Sequence, residues 1–178
     1  MGRNKAAVWD ARQPEVGRSF AFLVHDVSRL IKRRFDRRAR QIGLPLTRQQ
    51  GVVVLYIAQN EGVSQAEVAA WLGIEPIALV RILDKLHEEG VVERRAHPTD
   101  RRVRTLWLAP GGAPVVESIL AINLAIREES FVGLAPGTRE ALIEALGQIK
   151  ENLAYREETA DQPGGESAET TPPHRSIA

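Results

Sequence analysis

The feature that most constrains the fold is a pair of short helix signals between residues 64 and 90. Ser64-Gln65-Ala66-Glu67 is a capping box, in which the first and last side chains satisfy each other's free backbone amides at a helix start. Gly73 is a terminator for this first helix, and Pro76 suits the first turn of the next, where a missing N–H costs nothing. Two short helices joined by a glycine-containing turn are typical of a helix-turn-helix unit.

Further helical patterns flank this unit. Apolar residues recur every three or four positions over residues 14–42, which predicts a long amphipathic helix. A second capping box, Thr47-Arg48-Gln49-Gln50, opens a helix that stops before Gly62. Residues 114–130 are apolar on more than one face, which favours burial against a partner subunit as well as the chain's own core. Residues 136–157 form a last helix.

Between these helices the pattern predicts a β-hairpin. Residues 91–97 and 102–108 are rich in β-branched and partly alternating residues, and a polar, proline-containing break separates them. We expect Trp71 and Trp107 to lie in the core of this central region.

Charge is distributed unevenly although the formal net charge is only +1. Residues 1–46 sum to +7, residues 47–109 to 0 and residues 110–178 to −6. Residues 94–104 nevertheless hold five arginines and one acid, and they include the hairpin tip. Such a patch is the electrostatic footprint of a nucleic-acid binder, and the alternative is a solvated surface.

Composition excludes several classes of protein. A length of 178 residues predicts about one domain, and the absence of cysteine excludes disulfide scaffolds and thiolate metal sites. The longest apolar run, residues 52–58, is too short for a membrane span, and no secretory signal precedes it. A reducing cytoplasm is therefore expected. His87, His97 and His174 share no metal-ligand spacing, so no metal or other cofactor is predicted. No nucleotide-binding or hydrolase motif is present, so the chain is not expected to be an enzyme.

Taken in order, these segments resemble MarR/SlyA-type transcriptional regulators. The resemblance covers roughly residues 20–153 and rests on five motifs: Leu46-Thr47 with Gln50, Ser64 to Ala69, Leu83-Asp84-Lys85-Leu86, Gly90 to Arg94, and Asp100-Arg101-Arg102. It implies a homodimer that binds pseudo-palindromic double-stranded DNA, more often as a repressor, and releases it on binding a small aromatic or anionic effector. It also implies that helix 76–89 enters the major groove and that the hairpin tip, or wing, reaches the minor groove.

The fold class is therefore mainly α with a small β-hairpin wing. We expect an N-terminal arm (1–13), a helical dimerisation region (14–45 and 110–158), a winged helix-turn-helix domain (46–109) and a disordered tail (159–178).

The candidate DNA-binding residues fall on the outward face of helix 76–89, on the wing and at two helix starts. They are Pro76, Ile77, Ala78, Arg81, Lys85, Arg95, Arg101, Arg102, Arg104, Thr47 and Ser64. Arg81 is the strongest base-reading donor among them, unless it forms a surface salt bridge with Glu88 or Asp84. Thr47 and Ser64 are equally well explained as helix caps. The resemblance gives Asp100 a structural role in the wing and Arg102 the minor-groove contact.

Two further predictions concern an effector pocket and an alternative function. His25, Arg29 and Tyr56 are candidates for an effector pocket by position, although each is also explained by packing or ion pairing. The apolar first turn of helix 76–89 departs from the family, whose members usually carry polar readers there. It supports an alternative function, a winged-helix protein-interaction module without specific DNA reading.

Overall fold

Six helices and three short strands make up the computed structural model, which describes residues 19–97, 99–100 and 103–160. In chain order they are α1 (Phe20–Gln41), α2 (Arg48–Gln59), β1 (Val63–Ser64), α3 (Gln65–Leu72), α4 (Pro76–Glu88), β2 (Val92–Ala96), β3 (Arg104–Leu108), α5 (Gly112–Ser130) and α6 (Pro136–Ala160). The predicted class, mainly α with a winged helix-turn-helix, is confirmed. Within the described ranges, no helix is long and apolar enough to cross a membrane.

The contacts divide the chain into two compact units, Met1–Ser130 and Phe131–Ala178. The first contains helices α1 to α5 and the sheet. The second contains α6, whose first turn is closed by backbone amides of Thr138 and Arg139 donating to the Ala135 carbonyl. This helix extends two residues into the predicted tail. The rest of the tail and the N-terminal arm lie outside the described residues.

Helix boundaries inside the first unit follow the local signals in the sequence. Both capping boxes form, with Thr47 accepting from the Gln50 amide and Ser64 from the Glu67 amide. Gly73 ends α3 in the left-handed conformation, at φ 61°. Pro76 is the first residue of α4, as predicted. Each of these four helix ends is therefore set by residues within one turn of it.

The sheet has one strand more than predicted. The hairpin forms as expected, with Val92 opposite Leu108 and Ala96 opposite Arg104. A two-residue strand, β1, pairs antiparallel with the other edge of β3, so the strand order is β1-β3-β2. Two residues are too few to show alternation in sequence, and this pairing exists only because β3 presents a free edge to them.

The core of the first unit is drawn from every one of its helices and from the hairpin. Its completely buried large side chains are Phe35, Ile57, Leu79, Leu83, Leu86, Leu106, Ile119, Val53, Val54, Val68 and Val92. On α5 the buried residues are Ile119, Ile122 and Ile126, whereas Leu120 and Leu124 are exposed. One apolar face of α5 thus packs in its own subunit, and a second remains uncovered in the single chain.

Trp71 contradicts the prediction that it belongs to the core. Its side chain is 51% exposed and stacks on Tyr56, with ring centroids 4.1 Å apart. On the eight-residue α3, Val68 and Ala69 face the core, which leaves Trp71 at the surface. Trp107 is half-buried, and its indole N–H donates to the Thr105 hydroxyl at 3.0 Å.

Helices α1 and α2 approach closely at Gly51. A Cβ added to this glycine would lie 2.9 Å from Cζ of the completely buried Phe35 ring. Beside this contact, the Arg48 guanidinium lies 5.7 Å from the Phe35 ring centroid. The backbone amide of Arg48 donates to the Asp36 carboxylate at 2.8 Å. Burial lowers the pKa of Arg48 by more than the negative charge of Asp36 raises it.

We expect Gly51→Ala to destabilise the protein, by about 1–3 kcal/mol, because the added methyl overpacks the Phe35 ring. Intrinsic helix propensity alone would predict that alanine raises the free energy of unfolding, by up to ~1 kcal/mol. Gly147→Ala, in the middle of α6 with no atom within 4 Å of the added Cβ, is the matched control that should show this gain. Urea unfolding followed by circular dichroism measures both. Equal stabilisation by the two variants would contradict the close approach.

Candidate nucleic-acid interface

Helix α4 presents one face to the core and the other to solvent. Leu79, Leu83 and Leu86 are completely or almost completely buried. The outward face carries the residues that the sequence analysis assigned to DNA: Pro76, Ile77, Ala78, Arg81 and Lys85 are exposed. A helix fixed by its inner face with a free outer face has the geometry required to enter a major groove.

Arg81 has no side-chain hydrogen bond or ion pair within the described ranges. Neither of the two salt bridges considered for it forms: Asp84 is bound by Arg94 at 2.6 Å, and Glu88 makes no ion pair among the described residues. Lys85, by contrast, contacts Glu89 at 2.6 Å, and this hydrogen bond raises the pKa of Lys85. Arg81 therefore retains all its donors for a ligand, whereas Lys85 must share its ammonium group.

Arg94 connects α4 to the hairpin. From β2, its Nη2 donates to the Asp84 carboxylate at 2.6 Å and lies 3.4 Å from the Val80 carbonyl oxygen. His87 adds a second link, with Nδ1 3.0 Å from the Val92 carbonyl oxygen. Arg94 belongs to the basic patch of residues 94–104, but the sequence predicted no separate role for it. Asp84 and Arg94 both lie within motifs that carried the family resemblance. That resemblance was the signal in the sequence that could have indicated their contact.

Arg95 points to the opposite side of the strand and is engaged within the hairpin. Its guanidinium contacts Glu93, with Nε donating to a carboxylate oxygen at 2.8 Å, and lies 4.5 Å from the Trp107 ring centroid. Arg104 is exposed on β3 and makes no side-chain hydrogen bond or ion pair among the described residues. Of these two predicted phosphate contacts, Arg104 is the one whose guanidinium is uncommitted.

The tip of the wing is closed by hydrogen bonds between residues close together in the chain. The Val103 amide donates to the Asp100 carbonyl oxygen at 3.0 Å, and the His97 amide donates to the Val103 carbonyl oxygen at 3.1 Å. Asp100, assigned a structural role, donates its amide to Nδ1 of His97 at 3.3 Å. Arg101 and Arg102, the predicted phosphate and minor-groove contacts, lie outside the described residues.

Thr47 and Ser64 act as helix caps, and a phosphate contact by either stays a prediction. Their backbone amides donate to the side chains of Gln50 and Glu67, each at 2.8 Å. The hydrogen bonds from Ser64 lower the pKa of Glu67, which is fully exposed. A carboxylate at the start of α3 also opposes the approach of a phosphate there.

The three effector-pocket candidates are not joined by any hydrogen bond or ring contact among the described residues. His25 is exposed on α1, Arg29 donates to Asp26 at 2.6 Å, and Tyr56 packs on Trp71. An open hollow of about 490 Å³ lies further along α1 instead, and the sequence analysis did not single it out. It is lined by Leu30, Arg33, Arg34, Asp36, Arg37 and Arg40.

The acids available to neutralise this hollow are few. Arg34 and Arg38 both pair with Glu129 of α5, at 2.8 and 3.1 Å. The hydrogen bond from Arg38 and the charges of Arg34 and Arg37 lower the pKa of Glu129. Within the described part of the chain, Arg33, Arg37 and Arg40 make no side-chain hydrogen bond or ion pair. In the same part, no group of three or more His, Cys, Asp or Glu could hold a metal ion.

Comparison with known proteins shows which sequences and folds this chain is similar to. A sequence model described as "MarR family" matches residues 44–103. A crystal structure of MarR shares the fold with a TM-score of 0.75 and 20% identity, over 79% of this chain and 95% of the other. The transcriptional repressor CouR, bound to a 23-mer DNA duplex, has a TM-score of 0.68 and 25% identity over 78% and 97% of the two chains.

A mutant MarR from E. coli, complexed with operator DNA, has a TM-score of 0.63 and 26% identity over 71% of this chain and 90% of the other. The sequence match covers the helix-turn-helix and most of the wing, and the structural matches extend to the flanking helices. The resemblance predicted from the sequence is confirmed: the MarR family model matches residues 44–103, and the chain shares the fold of MarR-type structures.

Proposed function

We propose that this protein is a DNA-binding transcriptional regulator, without enzymatic activity, that acts as a homodimer on a pseudo-palindromic operator. The observation that carries the proposal is an exposed, uncommitted Arg81 on a helix whose outer face is otherwise free. Structures of similar fold are bound to DNA, including the S. aureus MepR–DNA complex at 20% identity. Repression is the proposed sign of regulation, because CouR is described as a repressor. Chromosomal DNA as ligand also favours a cytoplasmic location.

Contacts to base edges and contacts to the DNA backbone or minor groove have different consequences for binding in this interface. Arg81 on α4 is positioned to donate two hydrogen bonds to a guanine edge, which carries sequence information. Arg104 on β3 and Arg102 at the wing tip serve the phosphate backbone and the narrow minor groove, where negative potential is concentrated. Arg94 holds α4 and β2 in register, so both classes of contact depend on one side chain.

We expect Arg81→Ala to cost about 1–3 kcal/mol of operator binding and to relax base preference at one position in each half-site. Arg104→Ala should weaken binding to all sequences alike and reduce the salt-dependence slope by about 1. Fluorescence anisotropy across a salt series, with the upstream region of the gene and a scrambled duplex of equal length, measures both effects.

The control is Arg127→Ala, since this α5 guanidinium is paired with Glu128 and should leave DNA binding unchanged. If Arg81→Ala binds operator and scrambled DNA as the unmodified protein does, then α4 does not read bases.

The alternative, a protein-interaction module, is favoured by one observation. Ile77 is 64% exposed in the first turn of α4, beside Pro76 and Ala78, and such a turn offers apolar contact but few hydrogen bonds. The same surface can contact thymine methyl groups. Arg102→Ala separates the two functions: loss of DNA binding with the fold intact supports the regulator, whereas unchanged DNA binding removes the minor-groove role.

Exposed apolar residues support the homodimer. On α1, Phe20, Leu23, Val27 and Leu30 recur at steps of three and four and are each close to half exposed. Leu120 and Leu124 are exposed on α5, and α6 adds a third exposed apolar set, Leu142, Ile143, Leu146 and Leu153. Patches of this kind on three helices mark a protein interface, and the proposed occupant is a second copy of the chain.

We expect the double substitution Val27→Glu/Leu124→Glu to weaken the dimer by at least about tenfold, because it places unpaired charges in the proposed interface. Sedimentation over a concentration series measures the dissociation constant. Ile122→Glu is the contrast: this side chain is buried within its own subunit, so the substitution should unfold the chain. A double variant that remains a dimer at every concentration would place the interface elsewhere.

The effector is proposed to be a small aromatic or other organic anion that binds the arginine-lined hollow on α1. Three guanidinium groups without acidic partners in the described structure, next to the apolar Leu30, suit a ring that carries a carboxylate. An anion that binds only the DNA-free arrangement of the two reading heads would release DNA by shifting the population.

We expect a panel of small aromatic carboxylates to release operator DNA from the unmodified protein. Arg33→Gln/Arg37→Gln should raise the concentration needed by roughly tenfold or more, since hydrogen bonds between charged groups are lost. Lys32→Gln is the matched control, because Lys32 pairs with Asp36 and does not line the hollow. Equal release from all three proteins would exclude this hollow as the effector site.

A further inference from the structure

A single ring nitrogen at the wing tip collects three contacts. Nδ1 of His97 lies 3.4 Å from the Thr99 amide nitrogen, 3.3 Å from the Asp100 amide nitrogen and 3.2 Å from the Thr99 hydroxyl. His97 immediately follows β2 and is half-buried, and its own amide donates across the turn to Val103. Among the residues that the structure describes, no helix or strand supplies an acceptor for the Thr99 and Asp100 amides, and the imidazole does.

We infer that His97 is a positioning residue of the wing, whose neutral imidazole orients the turn by accepting the Thr99 and Asp100 amides at Nδ1. The inference rests on the proposed function, since it concerns how the wing meets DNA. Asp100 directly precedes Arg101 and Arg102 in the chain. Anchoring its amide therefore fixes the residue to which the two arginines are joined in the chain.

The chemistry of the ring makes this anchor conditional on protonation. Nδ1 accepts a hydrogen bond only when the ring is neutral with its proton on Nε2. In the imidazolium both nitrogens are donors, so the two backbone amides lose their acceptor, and only the Thr99 hydroxyl can adapt by accepting from Nδ1. Histidine is the side chain that gains a proton in the physiological range as pH falls.

The charged side chains nearest to His97 along the described hairpin are Asp100 in the same turn, Arg95 two residues earlier on β2, and Arg104, which pairs with Ala96 across the ladder. The DNA phosphates would favour the imidazolium once bound. A protonated ring thus adds attraction to any duplex while it removes the order of the turn, so acidification should lower specificity more than total affinity.

Asparagine provides the matched control for this role. Its side-chain oxygen can accept from backbone amides two or three residues ahead, as in Asx-turns and helix N-caps, and it does not titrate. His97→Asn should therefore keep the turn ordered at every pH, whereas His97→Ala removes the acceptor. The three proteins differ only at residue 97, which is half-buried and outside the hydrophobic core, so all three are expected to fold.

The experiment has a structural arm and a binding arm. In ¹⁵N NMR of the full chain near pH 7.5, the His97 ring should be in the Nε2–H form, with the Thr99 and Asp100 amides protected from exchange. Lowering the pH to about 5.5 should remove this protection in the unmodified protein but not in His97→Asn. His97→Ala should lack it at both values.

The binding arm uses a duplex selected from a random-sequence pool by the unmodified protein, and a scrambled duplex as reference. His97→Ala should reduce the ratio of selected to scrambled affinity by about tenfold, as expected for lost hydrogen bonds, and His97→Asn should restore it. The ratio should also fall on acidification in the unmodified protein and stay constant in His97→Asn.

The outcomes separate this inference from the proposed function. An Nδ1–H ring, or unchanged amide protection in His97→Ala, would overturn the role of His97 whatever the DNA result. An ordered turn with an unchanged affinity ratio in His97→Ala would overturn its role in recognition. If the unmodified protein binds no duplex even at low salt, the proposed function fails, while the NMR arm still decides whether His97 anchors the turn.

Discussion

The close contact between α1 and α2 at Gly51 is the constraint on which the rest of the first unit depends. Because a hydrogen atom is the only side chain at this position, the Phe35 ring fills the space beside it, completely buried. Asp36, the next residue, accepts the first free amide of α2, and Arg34 and Arg38 on the same helix bind Glu129 of α5. One stretch of α1 thus ties the reading domain to the helix with the uncovered apolar face.

This arrangement explains how events on α1 could reach DNA. The arginine-lined hollow belongs to the same stretch of α1 that holds Phe35. Since α2 packs on Phe35 and α4 packs on the common core, a ligand that shifts α1 acts on the reading helix through close-packed side chains. Such interiors transmit displacement because they have little free volume. The proposed effector site and the proposed DNA surface are therefore connected through one hydrophobic core.

Order in the DNA-facing surface comes from polar contacts rather than from burial. Arg94 joins α4 to β2 through Asp84, Arg95 rests on Trp107, and His97 closes the turn. Each of these side chains is basic and lies on α4's side of the hairpin or in the wing. Their guanidinium and imidazole groups contact other residues of the chain. Among the described residues of this DNA-facing surface, Arg81 and Arg104 are the arginines that remain uncommitted, and they are fewer than the charge pattern suggested.

The positions of helices were predictable because their signals are local. The capping boxes at Thr47 and Ser64, the terminator at Gly73 and the proline at residue 76 each act within one turn, so a window of a few residues contains the whole cause. The outward face of α4 was predictable for the same reason, since helical periodicity assigns Leu79, Leu83 and Leu86 to the core. The β1 strand and the exposure of Trp71 were not, because each depends on a neighbour distant in sequence.

The sequence by itself determined the order of elements, the reading face of α4 and the concentration of arginine at the wing. Only the tertiary structure decided which of those arginines are available. Arg94 and Arg95 are adjacent and chemically identical, yet strand alternation turns one toward Asp84 of α4 and the other toward Trp107 of β3. The charge of an arginine is a property of the residue, whereas its partner is a property of the fold, because a hydrogen bond requires two groups to meet.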